Sequence, residues 1–469
     1  MNNLDILALM PQILLTAGAV MLLISIAIKR NHLFSAIAAL LFVSASFCSL
    51  FFPPVLHEIS GIFIRDGFSI FFTGLILIIT LYIMLISFQY MEKRAEDIEE
   101  YYILMLLASL GATVLVSSRH FVTFFLGLEL LSTSLYVLIA FLRKRQISVE
   151  AGIKYLVIAA VSSAFLLFGM ALVYSGSGSM YFAELVPWFR NTGVNYTGLA
   201  GVVFMLGGIG FKLAIVPFHL WTPDVYEGAP APVSAYVATV SKAGMFAFFY
   251  RFVTESQILD VKQIALFITI LAVLSMFIGN VMAIREQNVK KILAYSSIAH
   301  LGYLLIALMI TGNAGAHAFA FYLVVYTLTI TGAFSIVAFL SQTGDDASSL
   351  VYYKGIFWSR PGLAIAFSIM LFSLAGIPLT AGFMSKFYLL LAGIGNELWL
   401  LSIVLIATSI IGLFYYLRII VEMFTKSEVP FREITHSGWL YGLVFGSIAL
   451  ILVALGIYPE LLTRLIFYF

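Results

Sequence analysis

Long apolar stretches separated by short polar loops run along the whole chain. Each approaches or exceeds the ~20 residues with which a helix crosses a bilayer. Lipid offers no hydrogen-bond partner to a backbone amide, so stretches of this length are predicted to be helices. We place them at 6–28, 33–56, 68–91, 101–117, 120–142, 150–175, 197–221, 229–252, 260–283, 289–311, 315–342, 361–394, 397–425 and 437–463. The pattern predicts an all-α, polytopic membrane protein with about 14 transmembrane helices.

Composition and charge point to the same class of protein. Of the 469 residues, 62% are hydrophobic and 10% are charged, whereas soluble domains contain about 25% charged residues. These values exclude a soluble enzyme, a disordered chain and a secreted disulfide scaffold. The net charge of +2 is too small to indicate nucleic acid as a partner. Cys48 is the single cysteine, so the sequence predicts no iron–sulfur cluster and no metal site in this chain.

Basic residues indicate the orientation of the chain in the membrane. They are more frequent in the loops after odd-numbered segments, which include Arg143, Lys144, Lys290 and Lys291. Positively charged loops face the cytoplasm in most membrane proteins. We therefore expect these loops to be cytoplasmic and both termini to lie on the outer side.

Four charged residues lie deep inside apolar segments, where a lysine costs roughly 2.5–3.5 kcal/mol. They are Glu129 in the fifth segment, Lys212 in the seventh, Lys242 in the eighth and Lys386 in the twelfth. Burial favours neutral lysine, whereas a nearby carboxylate favours the charged form. Moving Glu129 relative to a lysine would therefore load and unload a proton. We interpret the set as an ion or proton path, and static ion pairs are the alternative.

Two of these segments also contain helix-breaking residues. Pro217 follows Lys212 by five residues, and Gly376, Pro378 and Gly382 precede Lys386. A break frees backbone carbonyls, which a membrane tolerates only inside protein or beside water. Broken helices in corresponding halves are typical of transporters with inverted repeats. We therefore predict that helices seven and twelve are broken, with ordinary proline kinks as the alternative.

Two further polar residues lie within apolar segments. His300 occupies a position in the tenth segment that corresponds to Glu129 in the fifth, and imidazole suits a proton relay. The alternative is a static histidine satisfied by a hydroxyl, such as that of Ser297 one turn earlier. Lys154 is spaced for an i,i+4 ion pair with Glu150, and a cytoplasmic proton-uptake relay is the alternative.

Three stretches resemble the proton-conducting antenna subunits of respiratory complex I. They are FKLAIVPFHLWTPDVYEGAPAPVSAYVATVSKAG (211–244), KILAYSSIAHLGYLL (291–305) and SLAGIPLTAGFMSKFYLL (373–390). Among these subunits, the sequence at 221–233 and the lysine at position 386 are most similar to the N type of bacterial NADH–quinone oxidoreductase. The M type carries a glutamate at the latter position.

The resemblance implies a domain organisation and a role for each buried residue. It implies two inverted repeats of about five helices each, at 101–252 and 260–425, between an N-terminal three-helix segment at 1–100 and a C-terminal helix at 437–469. By position, Glu129 matches the glutamate of helix five, Lys212 the lysine of helix seven, Lys242 the connecting lysine of helix eight, and Lys386 the lysine of helix twelve. His300 falls where the family has a polar relay.

The resemblance also implies a function, partners and a location. It implies a proton-translocating subunit of NADH:quinone oxidoreductase in a bacterial inner membrane, driven by electron transfer elsewhere in the complex. Flavin, iron–sulfur clusters and quinone would bind partner subunits, and this chain would hold no cofactor. Its partners would be other antenna subunits, small membrane subunits and the lipid bilayer. The alternatives are a subunit of an Mrp-type cation/proton antiporter or membrane-bound hydrogenase, a stand-alone secondary transporter, and a passive structural subunit.

Overall fold

The computed structural model of the chain describes residues 3–92, 94–95, 97–191, 196–310, 312–342, 344–426 and 438–466. The predicted domain ends at 1, 437 and 469 lie outside the described residues. Helices dominate the described chain, as the apolar pattern predicts.

The elements follow one another in three groups. The N-terminal group comprises α1 (Asn3–Ala8), α2 (Met10–Ile28), α3 (His32–Cys48), β1 (His57–Ile59), β2 (Phe63–Arg65) and α4 (Gly67–Glu92). The next group comprises α5 (Glu99–Ser117), α6 (Phe121–Ile139), α7 (Gln146–Ser177), α8 (Leu185–Asn191), α9 (Tyr196–Leu213), α10 (Trp221–Gly228), α11 (Ala231–Ala238) and α12 (Val240–Ser256). The last group comprises α13 (Lys262–Arg285), α14 (Val289–Leu308), α15 (Gly312–Leu340), α16 (Ile356–Ser359), α17 (Pro361–Ala375), α18 (Ala381–Gly395), α19 (Trp399–Phe424), α20 (Trp439–Ile457) and α21 (Glu460–Ile466).

Twelve helices of the described chain are long and apolar enough to cross a membrane, and each coincides with a predicted segment. The two other predicted segments, 229–252 and 361–394, are each formed by two shorter helices, α11 with α12 and α17 with α18. The fold class is therefore correct, with one addition. Strands β1 and β2 form a small antiparallel hairpin with His57 opposite Arg65. Segment 33–56 was predicted too long, because α3 stops at Cys48 and the prolines at 53 and 54 cannot donate backbone hydrogen bonds.

Both predicted helix breaks are present. Helix α9 ends at Leu213, the next residue Ala214 has a φ of 59°, and α10 begins only at Trp221. Helix α17 ends before Gly376, whose φ of 82° is a left-handed conformation that glycine adopts without steric cost. These breaks leave the last carbonyls of α9 and α17 without partners inside their own helices.

The eighth predicted segment contains a third break, which was not predicted. Helix α11 ends at Ala238 and α12 begins at Val240, with Thr239 at φ −118° and ψ −73° between them. Lys242 lies in the first turn of α12. It is therefore next to a break, and not in the middle of a continuous helix as the sequence indicated.

Among the twelve long apolar helices, α14 and α15 are the most enclosed. In α14 and α15, 89% and 94% of the apolar stretch is buried. Helix α7, by contrast, exposes a large apolar face that includes Ile153, Val157 and Phe168. Of the charged residues predicted inside the membrane, Lys212, Lys242 and Lys386 are buried among the helices, whereas Glu129 is half-buried.

Candidate functional site

Lys212 lies in the last turn of α9, immediately before the first break. Its side chain is buried, and its Nζ donates a hydrogen bond to Ser132 Oγ on α6 at 2.6 Å. The ammonium also lies 5.6 Å from the ring centroids of Tyr155 and Phe211. Aromatic rings attract a cation electrostatically, so this pocket accepts a charged lysine without an acidic partner in contact.

Glu129 lies on α6, three residues before Ser132. Its Oε1 accepts a hydrogen bond from Ser163 Oγ on α7 at 2.6 Å. In the part of the chain that the structure describes, Glu129 and Lys212 do not form an ion pair within 4.0 Å. Glu129 nevertheless lies one helical turn before Ser132, the residue that accepts the hydrogen bond from Lys212. The expected partners are therefore neighbours, and each is held by a serine.

Lys242 joins this pair through the backbone of the first break. Its side chain is fully buried, and its Nζ donates to the carbonyl oxygen of Lys212 at 2.8 Å. The indole Nε1 of Trp221 donates to the neighbouring carbonyl of Phe211 at 3.1 Å, and the Lys242 ammonium lies 4.8 Å from that ring system. These carbonyls are at the C-terminal end of α9, where the helix dipole favours a positive charge.

Lys386 has the same relation to the other predicted break. Its Nζ donates to the carbonyl oxygens of Leu374 and Ala375, both at 2.9 Å, and to Ser409 Oγ at 2.8 Å. The two carbonyls are the last of α17, so the lysine caps a broken helix as Lys242 does. Its ammonium lies 5.5 Å from the ring of Tyr303.

His300 is enclosed by tyrosines. Its Nδ1 is 2.7 Å from the hydroxyl of Tyr322 on α15, and its Nε2 is 3.2 Å from that of Tyr416 on α19. The sequence analysis considered Ser297 as the hydroxyl that holds this histidine. Ser297 instead forms its hydrogen bond with Tyr326.

The structure brings the five predicted site residues into two clusters. The first cluster contains Glu129, Lys212 and Lys242. The second contains His300 and Lys386, which both lie about the ring of Tyr303, at 5.5 Å each. The serines and tyrosines that hold these residues were not predicted. Their only sequence signal is the presence of hydroxyl side chains at helical spacing within apolar segments.

Two basic residues lie outside the clusters, and the structure agrees with the prediction for Lys154 but not for Lys290. Lys154 forms the expected ion pair with Glu150, and a second one with Asp224 on α10, both at 2.8 Å. Lys290 was expected in a cytoplasmic loop. It lies instead at the start of α14, fully buried, and its Nζ is 2.8 Å from Asp346 Oδ2. Among the described residues, no group of three His, Cys, Asp or Glu side chains is placed to hold a metal ion.

Comparison with known proteins identifies the family. The family model described as the transmembrane part of NADH:quinone oxidoreductase and Mrp antiporters matches residues 118–412. A chain of respiratory complex I from Thermus thermophilus with bound aureothin is 30% identical, with a TM-score of 0.82, over 97% of this chain and 98% of that one.

Two other solved structures share the fold at lower identity. A chain of the Mrp complex from Dietzia sp. DQ12-45-1b superposes with a TM-score of 0.86 at 19% identity, over 99% of this chain and 96% of that one. A chain of the membrane-bound sulfane sulfur reductase, an archaeal respiratory complex, superposes with a TM-score of 0.84 at 23% identity, over 98% and 96%. The chain is a multi-pass membrane protein that belongs to the NADH:quinone oxidoreductase/Mrp antiporter transmembrane family.

Proposed function

We propose that this chain is a proton-translocating membrane subunit of a complex I-type NADH–quinone oxidoreductase, of the N type. The support is the 30% identity to a chain of the Thermus complex over nearly the full length. Two features favour the N type: the sequence at 221–233, and the lysine at position 386, where the M type carries glutamate. Electron transfer in partner subunits drives the chain, and no redox reaction takes place on it.

The observation that carries the proposal is how the three buried lysines are held. Their ammonium groups donate to serine hydroxyls and backbone carbonyls: Ser132 for Lys212, the Lys212 carbonyl for Lys242, and two α17 carbonyls with Ser409 for Lys386. A carboxylate in contact would fix the charged form. Neutral acceptors do not, because a neutral amine keeps two N–H groups for backbone carbonyls and its lone pair can accept from a serine hydroxyl. Each lysine can therefore lose and regain a proton without breaking its packing.

Glu129 is the group that would control this cycle. In the structure it accepts from Ser163, while Lys212 donates to Ser132 on the same helix. A small shift of α6 relative to α7 and α9 would exchange these bonds for a direct Glu129–Lys212 pair, which stabilises the charged lysine. Reversal of the shift would release a proton. The proton then moves through Lys242 and His300 to Lys386 and leaves on the outer side.

The proposal includes the setting of the chain. NADH, flavin, iron–sulfur clusters and quinone bind partner subunits, and the neighbours within the membrane are other antenna subunits and small membrane subunits. The membrane is the bacterial inner membrane, with both termini outside. Mass spectrometry of the complex that co-purifies with the chain tests this setting. Recovery of flavin and iron–sulfur subunits supports it, whereas recovery of an Mrp-type assembly without them would replace it with an antiporter.

The site is tested by Lys212→Ala in the intact complex reconstituted into vesicles. We expect normal assembly and a several-fold lower rate of proton translocation, because the proton path loses its first lysine. Lys354→Ala, at an exposed position, is the matched control and should translocate normally. A Lys212→Ala complex that assembles and pumps at the full proton-to-electron ratio would overturn the proposal.

A further inference from the structure

A buried asparagine on α13 contacts both helices that border the second cluster. Asn280 is 1% exposed. Its Nδ2 donates to the hydroxyl of Tyr303 on α14 at 3.1 Å, and its Oδ1 accepts from the hydroxyl of Tyr415 on α19 at 3.0 Å. Helix α13 carries none of the predicted site residues, so the proposed proton path does not use this amide. The amide nevertheless ties α14 and α19 to a third helix.

The directions of these hydrogen bonds are fixed by their neighbours. Asn280 Nδ2 also donates to the carbonyl oxygen of Met276 at 2.7 Å, which only the NH₂ side of an amide can do. Thr408 on α19 donates its one proton to the Val404 carbonyl at 2.6 Å. Tyr303, whose hydroxyl is 3.1 Å from Thr408 Oγ1, must therefore be the donor of that bond. The chain of donors ends at a helix carbonyl, so it holds the Tyr303 ring and passes no proton onward.

The ring that is held in this way faces the second cluster. The Lys386 ammonium lies over the Tyr303 ring at 5.5 Å from its centroid, and the His300 ring meets it edge-on at 5.5 Å. A ring attracts a cation only within about 6 Å of its centroid. Thr408, which accepts from Tyr303, directly precedes Ser409, which accepts from Lys386 at 2.8 Å. The bond from Tyr303 therefore fixes both the ring and the serine that surround the lysine.

The other partner of Asn280 borders His300. The ring of Tyr415 packs against that of Tyr416, with centroids 4.3 Å apart, and the Tyr416 hydroxyl is 3.2 Å from His300 Nε2. The amide of Asn280 therefore acts on both members of the second cluster. It reaches Lys386 through Tyr303, and it reaches His300 through the two neighbouring tyrosines.

Close helix packing brings the amide to this position. A Cβ on Gly279 would lie 2.7 Å from the backbone nitrogen of Ala299 on α14, and a Cβ on Gly412 would lie 3.0 Å from Asn280 Oδ1. Glycine at both positions lets α13 approach α14 and α19 more closely than a larger residue would. The short side chain of Asn280 can therefore reach tyrosines on two helices at once.

We propose that Asn280 is a positioning residue of the second cluster, which holds Tyr303 against the ammonium group of Lys386 while that lysine gains and loses its proton. Without the amide, the Tyr303 hydroxyl loses its donor and the Tyr415 hydroxyl loses its acceptor. The Tyr303 ring can then move away from the ammonium, and the charged form of Lys386 loses a stabilising contact. The inference rests on the proposed function, because it requires Lys386 to change protonation during turnover.

Asn280→Leu in the intact complex reconstituted into vesicles tests the inference, since leucine keeps the branched shape and removes both hydrogen bonds. We expect normal assembly, a several-fold lower proton-to-electron ratio at neutral pH, and a pH profile of that ratio displaced to lower pH, because charged Lys386 is less stabilised. Ser256→Ala is the matched control. Ser256 is also fully buried, and its hydroxyl donates to the Phe252 carbonyl of its own helix, so the control should keep the wild-type profile.

Tyr303→Phe removes the same bond from its other side and keeps the inference testable if Asn280→Leu does not assemble. It retains the ring, removes the hydroxyl that holds it, and should displace the pH profile in the same direction. The double variant should lose less than the sum of the two single losses, because both substitutions remove the Asn280–Tyr303 bond. Additive losses would overturn the inference.

A further outcome separates positioning from simple bracing. If Asn280 only braces α13 against its neighbours, Asn280→Leu will lower the thermal midpoint without displacing the pH profile, and that result would also overturn the inference. If Asn280→Leu and Tyr303→Phe keep the wild-type profile while Lys386→Ala lowers the ratio, the inference is wrong and the proposed function stands. If Lys386→Ala also keeps the wild-type ratio, both are wrong.

Discussion

Each buried lysine of the two clusters is bonded to neutral groups, and Lys290 shows the contrasting arrangement. Its Nζ donates to Asp346 Oδ2 at 2.8 Å and to the carbonyls of Glu227 and Ala229 at 2.8 and 2.6 Å. Burial alone would raise the pKa of Asp346, but Lys290 and Arg145 hold that pKa below its usual range. The carboxylate is therefore ionised at neutral pH, and the pair is a fixed structural tie.

This contrast gives a prediction at the scale of one residue. Asp346→Asn removes the charge that compensates Lys290 and should lower the free energy of unfolding by about 3–5 kcal/mol. Asp345→Asn is the matched control, because its ion pair with Arg145 is 61% exposed on the acid side and should contribute at most ~1 kcal/mol. Thermal unfolding in detergent measures both.

The same variants should also differ in how their stability changes with pH. A depressed pKa contributes stability that is present above the usual carboxyl pKa and is lost as the pH falls through the lower, folded value. The wild type should therefore lose more stability on acidification than Asp346→Asn. Equal stabilities of Asp346→Asn and Asp345→Asn at neutral pH would show that the buried Lys290–Asp346 pair does not stabilise the fold.

At the residue scale, the sequence identified the charged groups but not their partners. A lysine in an apolar segment is visible because of its cost in lipid. Ser132, Ser163 and Ser409 are not distinguishable from other hydroxyl residues, since the groups they contact lie on other helices. Lys290 was misplaced for a related reason, because its acidic partner Asp346 lies in the loop after α15, far from it in the sequence.

At the scale of elements, the breaks in α9–α10 and α17–α18 were predictable because proline and glycine mark them. The break at Thr239 has no proline or glycine within four residues on either side. Residues 231–250 are all buried, so packing against neighbouring helices holds that conformation. The hairpin of β1 and β2 was missed because each strand has only 3 residues, too few to show an alternating pattern.

The α17–α18 break makes a prediction at this scale. A Cβ added to Gly382 would lie 1.7 Å from the backbone oxygen of Ser373. Because the clashing atom belongs to the backbone, the clash is relieved only if one of the two helices moves. Gly382→Ala should therefore separate the two half-helices, displace the carbonyls that hold Lys386, and cost several kcal/mol of stability.

Its control lies in the same helix. A Cβ at Gly395 meets nothing within 4 Å, so Gly395→Ala should assemble and unfold as the wild type does. The yield of assembled complex and its thermal midpoint are the measurements. A Gly382→Ala complex as stable as Gly395→Ala would contradict the close packing described for this break.

At the scale of the whole molecule, Glu129, the three buried lysines and His300 form one route only if protons pass between the two clusters. Membership of the family is shown by the match to residues 118–412, whereas the route is inferred from the contacts of this chain. The central claim is that the buried lysines change protonation during turnover. A lysine that only supplies a fixed positive charge would serve as well if it were replaced by arginine.

The most direct test is therefore Lys386→Arg in the intact complex reconstituted into vesicles, with the protons translocated per electron pair as the measurement. Arginine keeps the positive charge and can donate to the same carbonyls of Leu374 and Ala375, but it does not deprotonate in proteins. We predict an assembled complex whose proton-to-electron ratio falls, while Lys354→Arg, at an exposed position, keeps the wild-type ratio. An assembled Lys386→Arg complex that translocates protons at the wild-type ratio would contradict the account.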